Sequence, residues 1–357
     1  MARQWILNSQ DGFEKSLEYQ HVEIPKQSDL KPNEVLVKLY AASLNYRELI
    51  IAGPLGVNGP IKPPIVPGCD GAGVVEAVGS SVQDFQPGDR VVTQFAPNVA
   101  ESRGDDAPST MEDVPFMLGQ GTDGTLRSHG VFSEKALVLA PKSLDWIAAA
   151  TLTCTWTTAW NSLFGVKGSE VGSDTWVLVQ GTGGVSVATL QLAVAAGANV
   201  VATTSTEEKA ARLRSLGAAH TVNYRTNPEN WGLEARKLTP GGKGFDTVID
   251  VGGNETLGQS LASVRPDGTV MIVGQVGDNV DMVPLHAALF HTCVVRGVLG
   301  GNRAQFRELV QFIDNKKIKP VVDDAIFELA EAKDAYRRLK EKKHFSKIVI
   351  RVDHQEV

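Results

Sequence analysis

The chain has 357 residues, of which 42% are hydrophobic and 21% charged, a composition typical of a globular protein of about two domains. Its formal net charge of −6 disfavours a nucleic-acid surface or a polybasic membrane patch, so small molecules are the expected partners. No apolar run of about 18 residues occurs, the N-terminal segment lacks the apolar core of a secretory signal, and three scattered cysteines cannot build a disulfide scaffold. We therefore expect a cytoplasmic protein without nucleic-acid or membrane partners.

The first part of the chain, residues 1–150, carries short β patterns separated by proline and glycine turns. Glu34–Tyr40, Gly73–Val78 and Arg90–Gln94 alternate apolar and polar side chains, as half-buried strands do. These runs predict a partly open β-barrel. The acidic segment Glu101–Asp113 is expected to be a solvated surface loop or, alternatively, a lid on the substrate side.

The stretch Thr175–Gly197 reads as a strand, a glycine-rich turn and a helix. Gly181 allows a sharp turn, Gly183 allows the backbone to approach a phosphate, and a helix beginning near Gly184 offers free N–H groups and a positive dipole end. The segment therefore predicts a dinucleotide-binding turn, although Ser186 stands where the fingerprint has Gly or Ala. The alternative is an ordinary glycine-rich strand-to-helix turn.

Further strands and a helix follow at the spacing of repeated β-α-β units. These predicted elements are the strand Asn199–Thr203, the helix Thr206–Gly217, and the strands Thr221–Tyr224, Asp246–Val251 and Thr269–Gly274. They predict a doubly wound parallel sheet, with a ligand crevice outside the carboxyl ends of the strands.

Seven segments occur in an order that resembles the medium-chain dehydrogenases/reductases. These are LNYREL (44–49), PGCDGAGVV (67–75), QPGDRV (86–91), CTWTTAW (154–160), VQGTGGVS (179–186), VNYRT (222–226) and HFSKIVI (344–350). The resemblance covers essentially the whole chain and is greatest to the zinc-poor quinone oxidoreductase and enoyl reductase branch.

The resemblance implies an α/β fold of two domains. Residues 1–150 and 292–357 would form a discontinuous, GroES-like β-barrel catalytic domain, and residues 151–291 a Rossmann domain. Nicotinamide and substrate would bind between the domains. The strand Thr292–Leu299 would pair with its two-fold mate, so a homodimer is expected.

The resemblance also implies a set of site residues. Catalytic roles fall to Asn45 and Tyr46. The cofactor would be bound by Asn45, Thr158, Gly181, Thr182, Gly183, Gly184, Val185, Ser205, Lys209, Tyr224, Gly274 and Lys347.

The positions of the family's catalytic zinc ligands have changed in this chain. In the alcohol dehydrogenases a cysteine occupies the position of Asn45, a histidine that of Cys69, and a cysteine or aspartate that of Cys154. Because an amide is a poor zinc ligand, we expect no metal, with Cys69 a small buried residue. A residual site formed by Cys69, Asp70 and Cys154 remains the alternative. The loop 95–124 lacks cysteine, so the family's structural zinc is not expected either.

Without a metal, hydrogen-bond donors must polarise the substrate carbonyl. Asn45 would lie beside the nicotinamide ribose, and the Tyr46 phenol could donate to an enolate-like oxygen. The alternative for Tyr46 is a barrel aromatic whose hydroxyl is satisfied by backbone. Arg47 and Glu48 are expected to form a structural charge pair, and His129 either faces the substrate or is solvated in a turn.

NADPH is the expected cofactor because the second strand ends in Thr203–Thr206, without the acid that NAD-specific folds place there. Lys209, Tyr224 and Ser205 match positions near the 2′-phosphate in the resembling quinone reductases. Alternatively, Ser205 and Glu208 form a capping box and Lys209 is solvated.

The sequence thus predicts NADPH-dependent reduction of a quinone, enone or enoyl substrate by hydride transfer without zinc. An NAD(P)-dependent alcohol or aldehyde dehydrogenase is the main alternative. A cofactor-binding protein without turnover is the other.

Overall fold

A computed structural model of the protein describes residues 1–54, 58–277 and 282–354. The chain divides into two compact units, Met1–Thr157 with Gly301–Val357, and Thr158–Gly300. The sequence had placed the boundaries at residues 150 and 291. The second unit extends to Gly300 because the strand Val294–Gly297 pairs in parallel with the preceding strand of its sheet.

The first unit contains a seven-stranded sheet and a separate two-stranded one. Numbered along the whole chain, its strands are β1 (Ala2–Leu7), β2 (Leu17–Val22), β3 (Glu34–Leu44), β4 (Asp70–Val78), β5 (Arg90–Thr93), β6 (His129–Ser133), β7 (Leu137–Leu139), β14 (Val322–Glu328) and β15 (Lys347–Arg351). The larger sheet runs β14-β15-β3-β4-β5-β7, with β6 also paired to β3. The predicted β-rich architecture is therefore confirmed.

The long strand β3 organises this sheet because it pairs with β4, β6 and β15. Val35, Val37 and Leu39 are fully buried at alternate positions. Their alternation produces the period of two that the sequence showed. The carboxyl end of β3, Leu44, is the point from which the site of this unit is built.

The described part of the first unit also contains α-helices and one π-helix, besides short 3-10 turns. These helices are α1 (Phe13–Ser16), α2 (Tyr46–Ala52), α3 (Pro97–Arg103), α4 (Trp146–Ala149), α11 (Arg303–Lys316), α12 (Ala332–Lys340) and the π-helix Leu152–Trp156. Ile51 of α2 and Tyr336 of α12 are buried in the same hydrophobic core as the β3 side chains.

The second unit is a six-stranded parallel sheet with helices between its strands. The strands are β8 (Trp176–Gln180), β9 (Asn199–Thr204), β10 (His220–Asn223), β11 (Phe245–Asp250), β12 (Val264–Ile272) and β13 (Val294–Gly297). The helices are α5 (Thr157–Phe164), which begins at the unit boundary, α6 (Gly184–Ala195), α7 (Glu207–Ser215), α8 (Trp231–Lys237), α9 (Asn254–Ser263) and α10 (Ala287–His291). The order β10-β9-β8-β11-β12-β13 reverses direction beside β8, which confirms the doubly wound sheet.

The acidic segment Glu101–Asp113 is not simply a solvated loop, because part of it is helical and the rest is held by ion pairs. Arg103 contacts Asp113 through both guanidinium nitrogens, at 2.6 and 3.1 Å. The buried Arg303 donates to Asp105 at 2.8 Å. These contacts fix the segment to its own unit, and nothing in them indicates a lid.

Across residues 1–54, 58–277 and 282–354, none of the helices is both long enough and apolar enough to cross a membrane.

Candidate active site

The glycine-rich turn of the second unit has the geometry of a phosphate cradle. It connects the end of β8 to the start of α6, and Gly181 has φ +73°, a conformation that favours glycine. A Cβ added at Gly183 would meet no atom within 4 Å, so open space lies over that backbone. With Thr182 and Val185 beside the first turn of a twelve-residue helix, these residues fit a dinucleotide pyrophosphate.

Ser186 explains how the fingerprint tolerates a residue larger than glycine. Its hydroxyl is buried and donates to the carbonyl oxygen of Gln180 at 2.6 Å. The side chain therefore ties the helix to the strand instead of separating them. The neighbouring amide of Gln180 donates to Ser260, which in turn donates to the buried carboxylate of Asp250.

Asp250 was not predicted as part of this region, although it ends a strand beside the crevice. Its carboxylate accepts from the backbone N of Gly253 at 2.8 Å and from Thr256. Burial raises the pKa of Asp250, and those hydrogen bonds oppose the shift. A polar residue at the end of an apolar strand was the signal that could have identified it.

Of the residues expected at the 2′-phosphate, Ser205 follows β9, Tyr224 follows β10 and Lys209 lies in the first turn of α7. The backbone N of Tyr224 donates to the Thr204 carbonyl at 3.1 Å. Thr206, not Ser205, caps α7, because its hydroxyl accepts from the backbone N of Lys209 at 3.3 Å. The alternative interpretation, in which Ser205 and Glu208 form a capping box, is therefore wrong.

A buried hydroxyl without a partner marks the same place. Thr204 is 2% exposed, and its Oγ1 has no hydrogen-bond partner in the described part of the chain. Buried polar atoms almost always have a hydrogen-bond partner. The unpartnered hydroxyl at the end of β9 therefore fits a bound ligand that would form this hydrogen bond. The remaining predicted residues of this unit are Thr158, buried in α5, and Gly274, which follows β12.

The site of the first unit begins at Asn45, which caps α2. The side chain of Glu48 reaches back to the backbone N of Asn45 at 2.6 Å, closing a capping box. Asn45 is 6% exposed, so its amide is held inside the protein. Tyr46 is the first residue of helix α2, not of a barrel strand, and it is 38% exposed.

Lys347 carries a buried positive charge beside Asn45. Its ammonium donates to the Leu44 carbonyl at 2.8 Å, to Asp70 Oδ2 at 3.0 Å and to Asn45 Oδ1. The Lys347 side chain is 2% exposed and that of Asp70 is fully buried. The sequence interpretation made Lys347 a cofactor ligand; the structure places its ammonium on three oxygen atoms of its own unit.

Cys69 lies on the other side of Asn45. Its sulfur is 3.6 Å from Asn45 Nδ2, 3.3 Å from Asp70 Oδ1 and 3.6 Å from Glu48 Oε1. It is fully buried, as expected. Asn45 is therefore oriented from both ends, with its oxygen toward Lys347 and its nitrogen toward Cys69.

Glu48 and Arg47 form the expected structural pair, with Arg47 Nη1 at 3.5 Å from Glu48 Oε1. Burial raises the pKa of Glu48, and the Arg47 guanidinium opposes that shift. Arg47 also donates to the Leu118 carbonyl at 2.9 Å. The pair therefore anchors the start of α2 on which Asn45 and Tyr46 are placed.

His129 does not lie in a turn; it is the first residue of β6, opposite Lys38. Its Nε2 is 3.7 Å from Glu76 Oε1. Burial lowers the pKa of His129 although Glu76 opposes the shift. The expectation of a solvated turn residue is therefore wrong.

No group of three or more His, Cys, Asp or Glu side chains that could hold a metal ion is found within the described ranges. The three family ligand positions are nevertheless close together. Asn45 contacts Cys69, and the backbone N of Cys154 donates to Asp70 Oδ1 at 3.1 Å.

The two-domain oxidoreductases combine two such units in one chain. One unit is a parallel sheet with a phosphate cradle, and the other is β-rich with a buried polar centre. Two family models match the chain, "Alcohol dehydrogenase GroES-like domain" over residues 31–142 and "Zinc-binding dehydrogenase" over residues 184–315. The chain belongs to the medium-chain dehydrogenase/reductase superfamily and is an oxidoreductase of that family.

Individual relatives carry several names. A zinc-type alcohol dehydrogenase-like protein of Schizosaccharomyces pombe is 40% identical over 99% of this chain and 100% of its own length. A 2-haloacrylate reductase of Burkholderia sp. is 32% identical over 71% of this chain and 68% of its own. A solved structure of an NAD-dependent alcohol dehydrogenase is 32% identical, covers 98% of this chain and 100% of its own, and superposes with a TM-score of 0.85.

Proposed function

We propose that this protein reduces a conjugated carbonyl compound, a quinone, enone or enoyl derivative, with NADPH and without a catalytic metal. The observation that carries the proposal is the buried ammonium of Lys347. This ammonium donates to Asn45, which occupies the position of a zinc ligand in the family's alcohol dehydrogenases. It also donates to Asp70, which is next to a second such position, Cys69.

The charge of Lys347 disfavours a second cation at that point. Its ammonium is 2% exposed, and in such a low-dielectric environment like charges repel strongly. The Asn45 oxygen is occupied by the same ammonium, and the Asn45 nitrogen is a donor. One of the two lone pairs of the Asn45 oxygen is thus engaged by an ammonium, which makes an amide that is already a poor zinc ligand a still weaker one.

The bound cofactor would supply the hydride. Asn45, held from both ends, would keep a constant orientation toward the reacting groups. Tyr46, with its exposed ring at the start of α2, would donate a hydrogen bond or a proton to the oxygen on which negative charge develops.

The names of the relatives support two different reactions. The 2-haloacrylate reductase of Burkholderia sp. favours reduction of a conjugated double bond. The alcohol dehydrogenase names favour oxidation of an alcohol or reduction of an aldehyde, with NAD(P) as the second candidate function. Both are hydride transfers, so only turnover separates them.

The test is a screen of NADPH and NADH against quinones, enones, aldehydes and alcohols, with metal analysis of the same preparation. We expect oxidation of NADPH by conjugated carbonyls, unchanged after treatment with a chelator and reduced in Tyr46→Phe, which keeps the ring. Stoichiometric zinc that is lost together with activity would overturn the metal-free mechanism. Binding of NADPH without turnover of any compound would favour a binding protein.

We further propose that the segment from the end of β9 to the first turn of α7, which contains Lys209, selects NADPH over NADH. Lys209→Ala should lower kcat/KM for NADPH by roughly tenfold to a hundredfold, since a charge-assisted contact contributes about 1.5–3 kcal/mol. The value for NADH should hardly change. Lys237→Ala, at an exposed lysine of α8, is the matched control. Equal losses with the two cofactors would show that Lys209 does not recognise the 2′-phosphate.

A homodimer through β13 is also proposed. This strand is the edge of the six-stranded sheet. Val294, the first residue of this strand, is 53% exposed, and the preceding Leu285, Leu289 and Phe290 are 81%, 75% and 76% exposed. This is more apolar surface than an isolated edge normally presents.

Light scattering should therefore give twice the chain mass of 38.3 kDa for the wild type. Phe290→Glu should give the monomer because it introduces a charge into the apolar contact. Leu233→Glu, at another exposed apolar residue of the same unit, should leave the dimer intact. A monomeric wild type at micromolar concentration would contradict the proposal.

A further inference from the structure

Two of the three cysteines of this protein contact one carboxylate oxygen, Cys69 through its thiol and Cys154 through its backbone N–H. The Cys69 sulfur lies 3.3 Å from Asp70 Oδ1, and the backbone N of Cys154 donates to the same oxygen at 3.1 Å. Cys69 immediately precedes β4, whereas Cys154 lies in the π-helix, about 85 positions further along the chain. Tertiary structure alone brings them together.

The two side chains also face each other. The pKa of the Cys69 thiol is raised well above its usual range, first by a hydrogen bond with the Cys154 thiol, then by burial and by the Asp70 and Glu48 carboxylates. Arg47 lies beside both sulfurs: burial disfavours its charge, but Cys69, Glu48 and Cys154 outweigh burial and raise its pKa. The Arg47 guanidinium opposes the rise in the pKa of Cys69 without cancelling it.

The exposure of the two residues differs. Cys69 is fully buried, and Cys154 is half-buried, so a small oxidant reaches Cys154 first. All three cysteines are reduced, and Cys293 lies in the other unit. Cys293 therefore serves as an internal control.

We propose that Cys69 and Cys154 form a dithiol that hydrogen peroxide converts into an intramolecular disulfide. The Cys154 sulfur attacks one peroxide oxygen: an S–O bond forms, the O–O bond breaks, and the departing oxygen leaves as water with the thiol proton. This step produces the sulfenic acid of Cys154.

The Cys69 sulfur then attacks the sulfenic sulfur. The S–S bond forms, the S–O bond breaks, and the hydroxyl group leaves as a second water after taking up the Cys69 proton. Asp70 Oδ1 and Glu48 Oε1, at 3.3 and 3.6 Å from that sulfur, accept the proton in transit. In total, two thiols lose two electrons and one peroxide becomes two waters.

Oxidation changes the surroundings of Asn45. In the reduced protein, Asn45 Nδ2 contacts the Cys69 sulfur at 3.6 Å, while Lys347 holds the oxygen of the same amide. The disulfide withdraws that thiol from Asn45, Glu48 and Asp70. Oxidation by peroxide therefore removes one of the two contacts that orient the Asn45 amide.

The experiment counts thiols in the full-length wild-type protein. The native protein is treated with hydrogen peroxide, denatured and titrated, and its digest is analysed by mass spectrometry without reductant. We expect the count to fall from three to one, a cross-linked peptide pair containing Cys69 and Cys154, and a return to three with dithiothreitol.

Matched variants separate the two thiols from the third. Cys293→Ser should fall from two titratable thiols to none, while Cys69→Ser should retain the Cys293 thiol and yield no cross-linked peptide. A count that stays at three, consumption of Cys293 ahead of the pair, or irreversible Cys154 sulfinic acid without the cross-linked peptide would overturn the proposal. None of these readouts requires turnover, so the result is independent of the proposed reductase activity.

Discussion

Replacing Gly183 with valine should weaken NADPH binding by at least about 100-fold, equivalent to roughly 2.7 kcal/mol, while the protein remains folded. The backbone at Gly183 has φ −76° and ψ 172°, which valine adopts without strain, and a Cβ there meets no protein atom within 4 Å. The added methyl groups would instead occupy the space over the turn where a pyrophosphate must approach the N–H groups of α6.

Fluorescence titration with NADPH and thermal unfolding test this prediction together. Gly258→Val is the matched control, since Gly258 lies on α9 of the same unit and its Cβ also meets nothing within 4 Å. The control should bind NADPH as the wild type does. A Gly183→Val protein with wild-type affinity would show that the turn is an ordinary glycine-rich connection.

Replacing Lys347 with methionine should reduce the free energy of unfolding by about 3–5 kcal/mol. The substitution leaves the Asp70 carboxylate fully buried without its cation, and it removes the donor to Leu44 O and Asn45. Methionine has a similar shape, so the loss comes mainly from the uncompensated charge and not from a cavity.

Guanidinium unfolding followed by near-ultraviolet circular dichroism measures the change. The double variant Lys347→Met with Asp70→Asn should recover a large part of the loss, because it removes the unpaired charge. Lys343→Met is the control, at a lysine 65% exposed just before the same strand, and should shift stability by under about 0.5 kcal/mol. A Lys347→Met protein as stable as that control would mean that the Asp70 charge is not compensated by Lys347.

Each end of the Asn45 side chain is held by a residue far away in the chain. Lys347 comes from β15 and Cys69 from the segment before β4, and the two strands flank β3 on opposite sides. The antiparallel pairing of β15 with β3 aligns Ile348 with Leu44, which brings the adjacent Lys347 to the end of β3. The amide orientation is therefore a product of strand register.

Local patterns identified the elements of the second unit well. The apolar strand before Gly181 and the helix from Gly184 were predicted almost to the residue, because a glycine-rich turn between a strand and a helix is defined over short distances. Element ends were less accurate: β12 begins at Val264, earlier than the predicted Thr269. The first residues of β12 were missed because the sequence Arg265-Pro266-Asp267 is typical of a turn.

The errors concern residues whose environment is set at long range. His129 was assigned to a turn from its local stretch GTLRSHG (124–130), yet pairing with β3 makes it a strand residue. Glu101–Asp113 was expected to be solvated because it is acidic, but Arg303, about 200 positions further along the chain, neutralises Asp105. Composition cannot reveal a partner that is so distant in sequence.

By itself, the sequence determined the α/β class, the family, the dinucleotide-binding turn and the change of the first zinc-ligand position to Asn45, because these depend on neighbouring residues or on the identity of one residue. Only the tertiary structure decided that the Lys347 ammonium is held by Leu44, Asn45 and Asp70, and that Cys69 and Cys154 share one carboxylate oxygen. Burial and a partner's charge depend on which distant strands pair, and that pairing has no local signature in the sequence.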